Sequence, residues 1–226
     1  MTRPTRDRWI GDLFEGPVLT ASCPVTDCED DLMPEERAII ASAVPKRRRE
    51  FAAGRRCARE LLAQLGHPGF PLLRNTDRTP RWPAEIVGSI SHSGTLCVAA
   101  IAARASFTSL GVDVEPDAAL APRLWRRICT AAELEQLGRS APVAEHGRLV
   151  RLVFSAKEAT YKSVHPLVGT TFGLLDIEIR IDSERRRFTP RLADTVVVRL
   201  PGGRAPEGSF ARRDGFVFAA ARIPAL

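Results

Sequence analysis

Lysine is nearly missing from this 226-residue chain. It occurs only at Lys46, Lys157 and Lys162, so almost all of the 33 basic residues are arginine. Aromatic residues are also scarce, at 6%, which leaves aliphatic side chains to fill the core. No stretch is long and apolar enough to span a membrane, and Met1 to Trp9 lacks the apolar run of a secretory leader. The five cysteines (Cys23, Cys28, Cys57, Cys97, Cys129) form no Cys-x-x-Cys pair and no Cys/His ligand spacing. Buried reduced thiols are therefore expected, ahead of disulfides or structural zinc. These absences argue against membrane, disulfide-rich and zinc-ribbon classes, and the expectation is a cytoplasmic enzyme or binding protein.

What is present is ordinary in bulk: 44% hydrophobic and 27% charged residues. The length allows one large domain or two small ones. A net charge of +6 and a pI near 9.5 favour anionic partners. They do not choose among nucleotide, nucleic acid, membrane and acidic protein. Val18 to Val25 reads as a strand before an acidic loop, Asp27 to Asp31. Pro34-Glu35-Glu36 opens a helix with proline and acids in the first turn. A second helix is predicted from Pro45 to Gly66, with Phe51, Ala58, Leu61, Leu62 and Leu65 at helical spacing. Residues 66–85 read as a loop. Strands follow at Ile86 to Ser91, Thr95 to Ala102 and Leu110 to Glu115, with a hairpin turn at Ser91-His92-Ser93-Gly94. Thr130-Ala131-Ala132-Glu133 is a capping box opening a short helix. A long helix is expected over Glu145 to Val164, broken by Pro166, with tail strands at Leu174 to Ile181, Thr195 to Leu200 and Phe216 to Ala221. The mixture is α+β with one sheet in each half, divided in the polar stretch Arg104 to Ser109.

Three sites carry chemistry. In Gly111-Val112-Asp113-Val114-Glu115, strand periodicity turns Asp113 and Glu115 to one face and the valines to the other. Two carboxylates so placed repel unless a hard cation lies between them, and Mg²⁺ commonly takes one or two carboxylates plus phosphate oxygens. Taken alone, the pattern is more simply read as a solvated strand end with two exposed acids. In Phe154-Ser155-Ala156-Lys157-Glu158-Ala159-Thr160-Tyr161-Lys162, Glu158 and Lys162 are four apart on a helix. The plain reading is a surface ion pair. Against it, two of three lysines fall in one largely apolar segment. Gly88-Ser89-Ile90-Ser91-His92-Ser93-Gly94 places a histidine among hydroxyls, suited to phosphate or simply to a turn. Lys46-Arg47-Arg48-Arg49 and Gly54-Arg55-Arg56 add a basic run that a solvated helix face would also explain.

Together and in this order, the motifs resemble the phosphopantetheinyl transferases of the surfactin/enterobactin type. That family carries a Gly-[Val/Ile]-Asp-x-Glu strand and, some forty residues on, a [Phe/Trp]-[Ser/Cys]-x-Lys-Glu-x-x-x-Lys helix. Arg47, Gly54-Arg55, Trp82-Pro83 and the Gly-Ser-Ile-Ser-His-Ser segment also match, so the likeness spans residues 45 to 165. It implies an α+β fold of two similar α/β halves related by a pseudo-twofold axis, each with a small antiparallel-rich sheet packed on a long helix. The halves would be residues 1–108, on the coenzyme A 3′-phosphate and adenine side, and 109–226, carrying the metal-binding and catalytic motifs. The implied reaction moves 4′-phosphopantetheine from coenzyme A to a serine of an apo acyl carrier protein or peptidyl carrier domain, releasing 3′,5′-ADP. The implied ion is Mg²⁺, with Mn²⁺ as a substitute, held by Asp113, Glu115 and Glu158. Glu158 is the candidate general base, Lys162 offsets charge on the leaving phosphate, and Lys157 binds phosphate or supports the helix. Arg47, Arg55, Ser91 and His92 match the 3′-phosphate contacts. Arg74 stands where relatives are basic, although the loop after it departs from their glycine-rich version. Glu133 either orients the metal site or simply caps its helix. A monomer acting without nucleic acid or membrane is implied. The competing readings are a metal-dependent nuclease, which usually carries an acid-x-lysine triplet on the strand itself, and a basic nucleic-acid-binding module.

Overall fold

The computed structural model describes residues 5–225. Two antiparallel sheets stand side by side, each backed by one long helix. The first has the order β1-β2-β4-β3: β1 (Thr5–Arg6), β2 (Leu19–Pro24), β3 (Ile86–Ser93) and β4 (Leu96–Ala103). The second has the order β5-β9-β8-β7-β6: β5 (Phe107–Pro116), β6 (Ile177–Asp182), β7 (Arg187–Leu192), β8 (Glu207–Arg213) and β9 (Phe216–Pro224). Short helices α1 (Arg8–Asp12) and α2 (Pro34–Ile39) precede the first long helix, α3 (Pro45–Gln64). Between β5 and β6 come α4 (Pro122–Ile128), α5 (Ala131–Ser140) and the second long helix, α6 (Val143–Val168); α7 (Asp194–Val197) follows β7. The α+β expectation holds. In each sheet a first strand leads to the long helix and then pairs with the last strand of its set: β2 with β4, β5 with β9.

Three apolar clusters fill the layers. Ala58, Leu61 and Leu62 of α3 pack on the first sheet, and Val150, Val153 and Val164 of α6 pack on the second. The third lies between the sheets, with Val87, Val112, Val114 and Phe218 covered by Ile10 and Phe14 from the N-terminal segment. The same segment is tied to the second sheet where Glu15 meets Arg187 and Arg222. All five cysteines are buried and unpaired, as expected.

Several elements differ from the sequence reading. The strand β3 runs through His92 to Ser93, so the turn falls at Gly94 (φ +55°), in the left-handed region glycine tolerates. α6 continues past Pro166 and ends at Gly169 (φ +66°). The proline sits in the last turn, where a single missing donor does not stop the helix. Thr195 to Leu200 is not a strand: Asp194–Val197 is helical, burying Val196 and leaving Val198 exposed. The strands β7 and β8 had gone unread.

Candidate active site

The edges of the two sheets meet along β3 and β5. These strands are not joined by a ladder. Instead, the Ser89 hydroxyl accepts from the Val112 amide at 3.1 Å, and the Ser91 hydroxyl accepts from the Val114 amide at 3.4 Å. Alternation along β3 explains the division of labour. Ser89 and Ser91 face β5, while Ile90 lies against Gly54 of α3 and His92 meets Glu50 of the same helix. Gly111 lets α6 approach β5. A Cβ there would lie far inside contact of the Ala159 carbonyl oxygen and 2.8 Å from the Ser163 nitrogen. Both are backbone atoms that cannot yield.

This approach brings α6 onto the two acids. Asp113 is 3% exposed. Its Oδ1 accepts from Lys162 Nζ at 2.6 Å and from Ser91 Oγ at 2.8 Å, and its Oδ2 accepts from Ser155 Oγ at 2.9 Å. Lys162 also donates to Ser91 at 3.0 Å. Glu115 is held by Arg151, whose Nη1 donates to Oε2 at 2.6 Å while its Nε donates to the Ala118 carbonyl. Burial, reinforced by Asp113, pushes the Glu115 carboxyl up to about 7 despite the guanidinium. Glu158, one turn before Lys162, is also raised by burial, with Lys162 opposing the shift. A cavity of about 330 Å³ opens beside Lys162, walled by Trp82, Gly88, Ser89, Tyr161 and His165.

The basic side is looser. Arg47 Nη1 lies 2.7 Å from His92 Nε2. An arginine can only donate, so Nε2 holds the lone pair and the ring is neutral. Burial lowers the His92 pKa, consistent with that tautomer. Arg55 is 6% exposed, stacks over Phe51 and donates to the carbonyls of Leu72 and Leu73. It thus anchors the 66–85 loop to α3, and burial lowers its pKa to about 10. Arg74 lies exposed on that loop, in a bridge to Pro80.

Two assignments change. Lys157 is fully buried, and its Nζ donates to Glu133 (2.7 Å), the Ile128 carbonyl (2.7 Å) and the Leu174 carbonyl (3.1 Å). Its donors are used, so it braces the helix and does not reach phosphate. Helical spacing could have shown this, because Lys157 falls in the buried stripe Val150, Val153, Thr160, Val164. Ser91 spends its hydroxyl on Asp113, Lys162 and the seam, where phosphate had been expected. Glu133 completes the capping box with Thr130 and pairs with Lys157, so the cap alternative is the observed one. The sequence reading missed Ser155 and Arg151. Their signal was the 151, 155, 158, 162 spacing, a single helix face.

Hard oxygen donors suit a hard cation, and the burial that raises the Glu115 and Glu158 carboxyls disfavours their ionised forms in a way such an ion would relieve. Among the described residues no three Asp, Glu, His or Cys side chains are close enough to hold an ion by themselves. The fit is therefore to an ion that takes part of its shell from a phosphate ligand, the usual habit of Mg²⁺.

Two helix-backed sheets thus meet at a joint that gathers acids and a lysine. Comparison with known proteins gives the family. Residues 35–102 match the model of the 4′-phosphopantetheinyl transferase N-terminal domain, and residues 109–200 match the 4′-phosphopantetheinyl transferase superfamily. The chain is 38% identical over 207 residues to 4′-phosphopantetheinyl transferase Svp of Streptomyces mobaraensis, covering 88% of this chain and 83% of that one. It is 36% identical over 166 residues to 4′-phosphopantetheinyl transferase PptT of Mycobacterium tuberculosis, covering 74% and 72%. A holo-(acyl-carrier-protein) synthase from Bacillus anthracis, solved with CoA (3′,5′-ADP), aligns at a TM-score of 0.37 and 22% identity, over 54% of this chain and all of that one. This chain belongs to the 4′-phosphopantetheinyl transferase family.

Proposed function

We propose that the protein transfers the 4′-phosphopantetheine group of coenzyme A to a serine hydroxyl of an apo carrier protein. The serine oxygen attacks the phosphorus bonded to pantetheine, the bond to the 3′,5′-ADP oxygen breaks, and the serine proton passes to a base. The observation that carries the reading is the convergence of Asp113, Glu158 and Lys162 at the joint of the two sheets.

Asp113, Glu115 and Glu158 are the residues that would hold a divalent ion, Mg²⁺ by preference. When bound, that ion supplies charge neutralisation on the diphosphate, which is most of what phosphoryl transfer asks of its surroundings. Glu158 is the candidate base: burial raises its pKa from the ordinary carboxylate value toward neutrality, improving proton uptake. Lys162 stands on Asp113 and faces the cavity, where its ammonium meets charge growing on the leaving phosphate. Arg47, Arg55 and His92, with Arg74 on the adjoining loop, serve the 3′-phosphate on this reading, and Arg55 also holds the loop that carries Arg74. Residues 1–108 then serve the adenine and 3′-phosphate side, and residues 109–226 serve the metal and the chemistry. The basic surface speeds encounter with an acidic carrier.

The test is incubation with coenzyme A, Mg²⁺ and an apo carrier, followed by intact mass of the carrier. A gain of one phosphopantetheine is expected and should vanish on chelation of the metal. An unchanged carrier across acyl, peptidyl and siderophore-type substrates would remove the proposal.

A further inference from the structure

Three serine and threonine hydroxyls lie on α6, and two of them stay at home. Thr160 Oγ1 donates to the Ala156 carbonyl at 2.7 Å, and Ser163 Oγ donates to the Thr160 carbonyl at 2.8 Å. Such local back-bonding is the default for hydroxyls inside a helix. Ser155 breaks the pattern. Fully buried, it leaves its own helix to donate to Asp113 Oδ2 at 2.9 Å.

That bond completes a ladder. Along one face, α6 presents Arg151 to Glu115, Ser155 one turn on to Asp113 Oδ2, and Lys162 two turns further to Asp113 Oδ1. A carboxylate turns readily about its Cβ–Cγ bond unless both oxygens are engaged. The Oδ1 atom already carries two donors, Lys162 and Ser91. Among the described residues Ser155 supplies the one donor on Oδ2, leaving that oxygen a spare lone pair in a fixed direction.

We infer that Ser155 is a positioning residue for the metal site, fixing the plane of Asp113 so that Oδ2 meets a divalent ion without reorientation. The inference rests on the metal-dependent reading above. Donors of this kind, one shell out from an ion, typically change metal affinity by about 10- to 100-fold when removed.

The experiment measures Mn²⁺ binding by the loss of its free electron paramagnetic resonance signal, with coenzyme A present and carrier absent, so that nothing turns over. Wild type should bind Mn²⁺, and Ser155→Ala should weaken binding by about 10-fold. Ser155→Cys has nearly the same volume but is a far poorer donor. It should weaken binding less, and it carries the test if the alanine variant does not fold. Thr160→Val removes a neighbouring buried hydroxyl with only a local partner and should leave affinity unchanged. Wild-type affinity in either soluble Ser155 variant, or equal weakening in Thr160→Val, overturns the inference while the metal reading stands. If wild type itself binds no Mn²⁺ beside coenzyme A, the metal reading falls first and the inference with it.

Discussion

Each long helix lies against a strand at a glycine, but the glycine changes sides. In the first unit it is on the helix: Gly54 of α3 meets the Ile90 side chain of β3, where an added Cβ would stand 3.0 Å from Cγ2. In the second it is on the strand: Gly111 of β5 meets the backbone of α6 at Ala159 and Ser163. One contact ends on a side chain that can shift, the other on a main chain that cannot. The rigid contact sits two residues from Asp113. The tolerant one lies on a helix whose first turn carries the exposed Arg47. The difference teaches where this fold keeps its tolerance: on the proposed chemistry, it lies on the basic side, away from the acids where proton and phosphoryl transfer would need fixed distances.

The largest expected effect tests the rigid side directly. Asp113→Ala or Glu158→Ala should lower the transfer rate by at least about 1000-fold, since several kcal/mol of charge stabilisation go with the metal site. The circular dichroism spectrum should stay near wild type. Full activity in either variant removes that residue from the mechanism. Next comes the glycine pair. Gly111→Ala forces overpacking against backbone and should cost about 3 kcal/mol, or about 10 °C in Tm. Gly54→Ala should fall within about 1 kcal/mol of wild type, because alanine's helix preference offsets the shift of Ile90. Equal losses in thermal unfolding would erase the contrast.

A third effect tests the buried brace. Glu133→Ala strands the Lys157 ammonium and should destabilise by about 3–5 kcal/mol, because an uncompensated buried charge remains. Wild-type Tm would mean that the two carbonyls suffice. On the tolerant side, Arg47→Ala should raise the coenzyme A KM by about 10-fold, one charged hydrogen bond's worth, with Tm unmoved. Arg55→Ala should lower Tm as well, since it frees the Leu72 and Leu73 carbonyls. Identical losses for coenzyme A and its 3′-dephospho analogue would show that Arg47 does not read the 3′-phosphate. The smallest effect is a pH dependence. The folded pKa of His92 lies below its unfolded value of about 6.5. Its stabilising contribution is thus complete above that value and is lost as pH falls through the folded pKa. A His92→Gln variant should show a flatter stability profile on the acid side, and an unchanged slope would assign the sensitivity elsewhere.

Much of this arrangement was legible in the chain. Helical spacing marked α3, the Thr130–Glu133 pattern marked the cap of α5, and alternation put Asp113 and Glu115 on one face of β5. The failures have local causes. Pro190 hid β7, although the strand tolerates it because pairing with β8 covers only Arg187 and Phe188. Gly208 weakened β8 on paper, yet it is there to make room for the Phe188 ring. The run Thr195-Val196-Val197-Val198 has strand propensity, but α7 buries Val196 and turns Val198 to solvent, so packing overrode preference. In the site, residue types were readable and partners were not. The partners of Ser91 and Ser155 depend on β3, β5 and α6 converging, which no spacing along one element reports.

The hydroxyl-stitched joint between β3 and β5 has one more consequence. Ser91 accepts from Val114 in the second sheet and, through the same oxygen atom, donates to Asp113 and receives Lys162. Docking of the two sheets therefore adds a second donor to the Oδ1 atom that Lys162 already holds. A fragment holding only the latter part of the chain would keep Asp113, Ser155, Glu158 and Lys162 yet lack Ser91, so on the proposed chemistry its acid–lysine pair would be present but less firmly set.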